Sequence, residues 1–200
     1  GNQTRAGERR ILDLETGTST PLPRAHWPPS LAEYDPARAI MVSGHPDGEI
    51  RVGSVFDEQP HLLFGHEGRL KALRLSPDGR WLATGSADRT ARLWDVRDPT
   101  ATPVVLHGHE SSVWAVAFSP DGRWLAFESD RDGTAHIYLF DRRTGETRQL
   151  TYMSTPTLLD GWSADSEWVW FSSTSHDVAG MADVFRVRVS GGTPMPVLAD

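Results

Sequence analysis

Eight histidines and 27 acidic residues could supply metal or acid–base chemistry, so their spacing decides the first question. His66 and His109 each follow a glycine and lie 43 residues apart. Zinc ligands are usually closely spaced pairs, and His26, His45, His61, His107, His136 and His176 show no such pairing. Asp130–Gly133 reads DRDG, like the start of a calcium loop. An EF-hand requires a glutamate at position twelve, where this chain has Asp141, so a β-turn is the expected reading. Gly161–Asp165 reads GWSAD and brings Ser163 near Asp165. A nucleophile elbow needs a second glycine and a following helix, and neither is present. No phosphate loop or dinucleotide fingerprint occurs. The expectation is a chain with no catalytic residue, no metal site and no cofactor.

Ser163 has a more ordinary explanation, because it belongs to a repeat. LSPDGRWLATGS at 75–86 returns as FSPDGRWLAFES at 118–129. The turn serines Ser76 and Ser119 are 43 residues apart, and the two Gly-His pairs share that spacing. WSADSEWVWFSS places Ser163 44 residues after Ser119. YDPARAIMVSG at 34–44 is a fainter copy, with Pro36 lying 41 residues before Pro77.

One period reads as four short strands. Residues 69–76 alternate in polarity and form the first, and SPDG turns the chain because Pro presets one φ and Gly accepts a positive one. Residues 80–86, 91–96 and 103–108 form the other three. Such a sheet is apolar on both faces and cannot cover both alone, so copies must stack. Stacked around an axis they make an all-β propeller of four-stranded antiparallel blades. A sandwich of duplicated hairpins is the alternative.

The net charge of -7 argues against sequence-independent nucleic-acid binding, which needs a basic face, although it leaves room for a local basic patch. No apolar run is long enough to span a membrane. With no cysteine there is no disulfide framework and no thiolate chemistry. That fits a reducing cytoplasm, with a periplasm as the alternative. Asn2–Thr4 forms a glycosylation triplet of a kind common by chance. GNQTRAGERR lacks both an initiator Met and an apolar signal segment, as expected for a piece of a longer or processed chain.

GHEGRLKALRLSPDGRWLATGSADRTARLWD (65–95) closely resembles a blade of bacterial WD-repeat proteins, and GHESSVWAVAFSPDGRWLAF (108–127) resembles half of another. The resemblance implies a structural tetrad of the Gly-His histidine, a second-strand Ser or Thr, the tight-turn Asp and the third-strand Trp. Carried onto this sequence, these are His66, Ser86 (or Thr84), Asp88 and Trp94. The next repeat departs from the pattern, with Tyr138 and Phe140 in place of Leu-Trp and three more residues in the hairpin. Residues 129–151 look instead like a blade of TolB-like propellers, a style shared with propellers attached to tricorn-type and prolyl-oligopeptidase-type serine peptidases, and 182–200 follow the same style.

The blades are expected at 28–63, 64–106, 107–150 and 151–200, with 1–27 supplying strands of a partial blade. Four and a half blades do not close neatly. The chain is then a segment of a longer propeller, a small closed ring with an irregular blade, or one half of an assembly with a second copy. An open ring would favour self-association through its exposed apolar end. The resemblance implies a non-catalytic scaffold that binds a protein or peptide partner as part of a larger bacterial regulator. The alternatives are an accessory propeller of a serine hydrolase or a periplasmic TolB-like protein. Lys71 and Trp114 occupy one repeat position near the start of the first strand. In WD-type propellers that region reaches the partner-binding face; the competing expectation is that Trp114 packs between blades.

Overall fold

The computed structural model describes residues 10–12, 19–21, 30–54, 60–174 and 183–197, all of them strand, turn or loop. The Asn2–Thr4 triplet and most of the expected partial blade lie outside the described residues. From that partial blade, β1 (Arg10–Leu12) and β2 (Ser19–Pro21) form a two-stranded antiparallel hairpin.

Four antiparallel sheets follow, each a simple meander. The first contains β3 (Leu31–Asp35), β4 (Ile40–Gly44), β5 (Ile50–Ser54) and β6 (His61–Leu63). The second contains β7 (Leu70–Leu75), β8 (Trp81–Ser86), β9 (Ala91–Asp95) and β10 (Val104–Leu106). The third contains β11 (Val116–Phe118), β12 (Trp124–Ser129), β13 (His136–Asp141) and β14 (Thr147–Gln149). The fourth contains β15 (Thr157–Trp162), β16 (Trp168–Ser173), β17 (Asp183–Arg188) and β18 (Met195–Pro196). The leading strands β3, β7, β11 and β15 lie side by side in that order, so the sheets are propeller blades set around an axis.

The repeated SPDGRW builds one turn three times. Ser76 Oγ donates to the Asp78 carboxylate and accepts the Trp81 N–H (2.9 Å). Ser119 with Asp121 and Trp124, and Ser163 with Asp165 and Trp168, repeat both bonds. The Ser163–Asp165 pair is therefore a turn clasp. The arginine after the turn reaches the acid ending the third strand, as Arg80–Asp95 (2.9 Å) and Arg123–Asp141 (2.7 Å). The fourth blade keeps the contact with the charges exchanged, as Glu167–Arg188 (3.3 Å).

Apolar packing joins the blades. Val42, Ile50 and Val52 of the first face Leu73, Leu82 and Trp94 of the second. Ala83, Ala91 and Leu93 on the opposite side of the second meet Leu125, Phe127 and Phe140 of the third. Ile137 and Leu139 then meet Phe171 and Phe185 of the fourth. Directed bonds supplement this packing. Glu33 accepts the Leu75 N–H (2.7 Å), Glu128 accepts the Leu159 N–H (2.6 Å), and Trp162 Nε1–H donates to the Ala117 carbonyl (3.1 Å). Burial raises both glutamates above the usual carboxylate range.

The second and third blades pack tightly at Gly85. A Cβ there would stand 2.5 Å from the Val113 carbonyl oxygen and 2.9 Å from Val113 Cγ1. Because the obstacle is backbone, Gly85→Ala should cost about 1–3 kcal/mol, read as a lower denaturant midpoint at constant slope. An unchanged midpoint would mean the blades do not pack at this separation.

Candidate functional site: the rim of the second and third blades

The loops entering β7, β11 and β15 and the hairpin turns between the middle strands of the first three blades lie at one end of the propeller, its rim. In the second blade this end is locked by a hydrogen-bonded chain. Trp94 Nε1–H donates to Thr84 Oγ1 (2.9 Å), and the Thr84 hydroxyl meets His66 Nε2 (2.7 Å). His66 Nδ1 meets Asp88 Oδ2 (2.7 Å). A carboxylate accepts only, so His66 carries its proton on Nδ1 and accepts at Nε2. Asp88 also accepts the Glu67 N–H (3.0 Å), the Thr90 N–H (2.9 Å) and the Thr90 hydroxyl (2.7 Å). Burial works to raise the Asp88 carboxyl, but the bonds from Thr90 and His66 outweigh it and hold the group at about 2. Burial lowers His66, with Asp88 opposing, so the ring stays neutral.

Ser86 is a correction to the sequence expectation, since Thr84 fills the tetrad position. The two residues share a strand face, so parity does not separate them. Ser86 ends the strand, where its hydroxyl donates to the Gly68 carbonyl (2.9 Å) and accepts the Asp88 N–H (3.1 Å). It therefore clasps the loop and turn and leaves the imidazole to Thr84.

The third blade has the histidine without the tetrad. Phe127 stands where Thr84 does, and Phe140 replaces the tryptophan. Asp130 spends one oxygen on the N–H groups of Glu110 (2.9 Å) and Ser111 (3.1 Å), and its own carbonyl closes a β-turn with Gly133. His109 is buried with neither ring nitrogen paired and packs edge-on against Phe127 (5.4 Å). Burial, then the Arg131 charge, lowers it to about 4. Arg131 in turn lies 4.3 Å over the Tyr138 ring. Tyr138 donates to Asp132 (2.6 Å), so of the two acids of DRDG one ties the hairpin and the other the entry loop. Among the described residues no group of three or more His, Cys, Asp or Glu side chains could hold a metal ion.

Trp114 does not pack between blades. It is 59% exposed, whereas every other described tryptophan is buried or half-buried. The Lys71 ammonium stands 4.1 Å from the centre of its ring, an inter-blade cation–π contact. Leu158 occupies the equivalent place in the fourth blade and is also exposed, as is Tyr152 on the preceding loop. The sequence alone did not single out Leu158 or Tyr152; the repeat spacing from Trp114 to Leu158, 44 residues, carried the signal.

Thr84→Val should leave His66 Nε2 and Trp94 Nε1 without partners, and Asp88→Ala should free His66 Nδ1. Each is expected to cost about 1–3 kcal/mol in thermal or denaturant unfolding; an unshifted melting curve for either would remove the tetrad from the stability account. His109→Leu should be neutral or stabilising, since it deletes a buried polar group that has no partner. The pH dependence has a definite sign. The unfolded chain protonates His109 near 6.5 while the folded chain resists until about 4, so the contribution is full above pH 6.5 and is lost as pH falls toward 4. His109→Leu should flatten that slope, and a slope identical to the parent would overturn the assignment.

Comparison with known proteins covers both of these blades. Residues 58–95 and 100–138 match the family model described as WD domain, G-beta repeat. The chain is 34% identical over 79 residues to a periodic tryptophan protein 2 homolog of Neurospora crassa, covering 36% of this chain and 8% of that protein. It is 35% identical over 66 residues to guanine nucleotide-binding protein subunit beta-5b of Danio rerio, covering 32% of this chain and 17% of the relative. Protein Mut11 of Chlamydomonas reinhardtii is 57% identical over 35 residues, covering 18% and 10%. These relatives are eukaryotic, and the matched segment spans under a fifth of each. A chain in a crystal structure of the mitotic checkpoint complex superposes with a TM-score of 0.70 at 22% identity, over 94% of this chain and 57% of that one. Residues 58–95 and 100–138 are WD repeats, and the chain that carries them has the fold of a WD-repeat propeller.

Proposed function

We propose that this chain is a non-catalytic scaffold that binds a protein or peptide partner on the rim of its second and third blades. The observation that carries the reading is Trp114, exposed at the rim and braced by Lys71 from the neighbouring blade. Exposing a large aromatic costs stability unless something covers it, and Trp is favoured as an anchor at protein interfaces. The blades below provide a rigid platform, and the His66 tetrad fixes the loop leading to Lys71.

The WD relatives support the scaffold class. A place in a bacterial regulator and a TolB-like character for 128–200 rest on the sequence resemblance alone. So does the second reading, an accessory propeller of a serine hydrolase. A cytoplasmic setting is proposed from the absence of cysteine, with a periplasmic one as the alternative, and self-association through an end blade is expected if the ring is open.

Capture of binding proteins on the immobilised chain tests the rim. Lys71→Glu and Trp114→Ala should each reduce the retained partner by about tenfold with an unchanged melting temperature. Arg143→Glu, at the opposite end of the propeller, should retain it fully. Equal retention by all three variants would remove the rim from the function.

A further inference from the structure

Resting on the rim reading, the charges of the second blade narrow the chemistry of the partner. Arg69 and Arg89 are exposed, Lys71 is half-buried, and among the described residues none of the three is ion-paired with a carboxylate. Other exposed cations divide: Arg38–Asp35 (2.6 Å) and Arg80–Asp95 (2.9 Å) are paired, whereas Arg74, Arg97 and Arg143 stand singly away from this cluster. Arg69 lies across from Ala87, whose N–H donates to the Arg69 carbonyl (2.9 Å). The Arg89 turn is thus beside the loop leading to Lys71. Arg89 is held at a φ of 65°, the left-handed conformation a non-glycine residue seldom takes.

The acid among these cations is already engaged. Asp88 turns its carboxylate inward to His66, Thr90 and the Glu67 N–H. Glu67 and Asp47, the latter on the turn packed against His66 and Gly68, are exposed acids beside the cluster, two against three cations. The chain as a whole carries -7, so an acidic partner is repelled by the bulk of the molecule and welcomed at this patch. Immediately alongside lie Trp114 and, one blade further, Leu158, both more than half exposed.

We propose that the rim of the second blade, with Trp114, docks an acidic peptide segment containing a large apolar side chain. Carboxylates of the segment pair with Arg69, Lys71 and Arg89, and the apolar side chain lies on Trp114 against Leu158. A nucleic acid strand is disfavoured, because its length would carry phosphates beyond the patch onto acidic surface.

The test is selection of a random twelve-residue phage-displayed peptide library on the immobilised 200-residue chain, with sequencing of the retained clones. Clones rich in Asp and Glu around Phe, Leu or Trp should be enriched, and synthetic copies should bind at least about tenfold more weakly in high salt. Lys71→Glu and Arg89→Glu should each weaken them about tenfold, and Trp114→Ala should do the same. A (dT)20 oligonucleotide should not displace them. Enrichment of neutral or basic peptides that still depends on Trp114 overturns the acidic chemistry while leaving the rim as the binding site. Enrichment indifferent to Lys71 and Trp114, or none, overturns both. Displacement by (dT)20 overturns the peptide in favour of nucleic acid.

Discussion

The second and third sheets are apolar on both sides. That single constraint dictates the architecture, because a four-stranded sheet standing alone would leave one side in water whichever way it turned. The second blade shows how both sides are satisfied: Leu82 and Trp94 look back to the first blade, while Ala83, Ala91 and Leu93 look on to the third. The second strand turns small residues, Ala83 and Gly85, toward the third blade, and Val113 takes up the space at Gly85. Bulk on one sheet is matched by its absence on the neighbour, and the radial spacing follows.

Directed bonds settle what packing leaves open. Apolar faces would tolerate sliding, and the inter-blade carboxylates Glu33 and Glu128 each capture a particular N–H on the next leading strand. At the rim the tetrad does the same within one blade, tying loop, second strand, turn and third strand through His66, Thr84, Asp88 and Trp94. The third blade has Phe127 and Phe140 in those places and relies on ring packing around an unpaired imidazole. Two solutions to one problem therefore stand side by side, and Lys71 on Trp114 bridges them.

Most of the fold was legible because the repeat wrote its turns in full. SPDGRW specifies a hydroxyl, a carboxylate and a glycine in fixed order, and those groups make the bonds their chemistry predicts. What escaped the sequence was choice among equivalents. Thr84 and Ser86 are both hydroxyls on one strand face, and only the height of the His66 ring decides between them. The exposure of Trp114 could not be read either, since its repeat position suits a packed or an open side chain equally. Glu33 and Glu128 were invisible for another reason: they hold the next blade from different strands, so no shared spacing marks them.

Near-identical repeats invite a folding chain to match the wrong hairpin halves. The exchanged pair Glu167–Arg188 bars one such error. Were the second strand of the second blade to zip onto the third strand of the fourth, Arg80 would confront Arg188; the reciprocal mistake would set Glu167 against Asp95. Like charges penalise both hybrids, whereas each native hairpin brings opposite ones together. One reversal of sign thus gives the last blade an address of its own among its look-alikes.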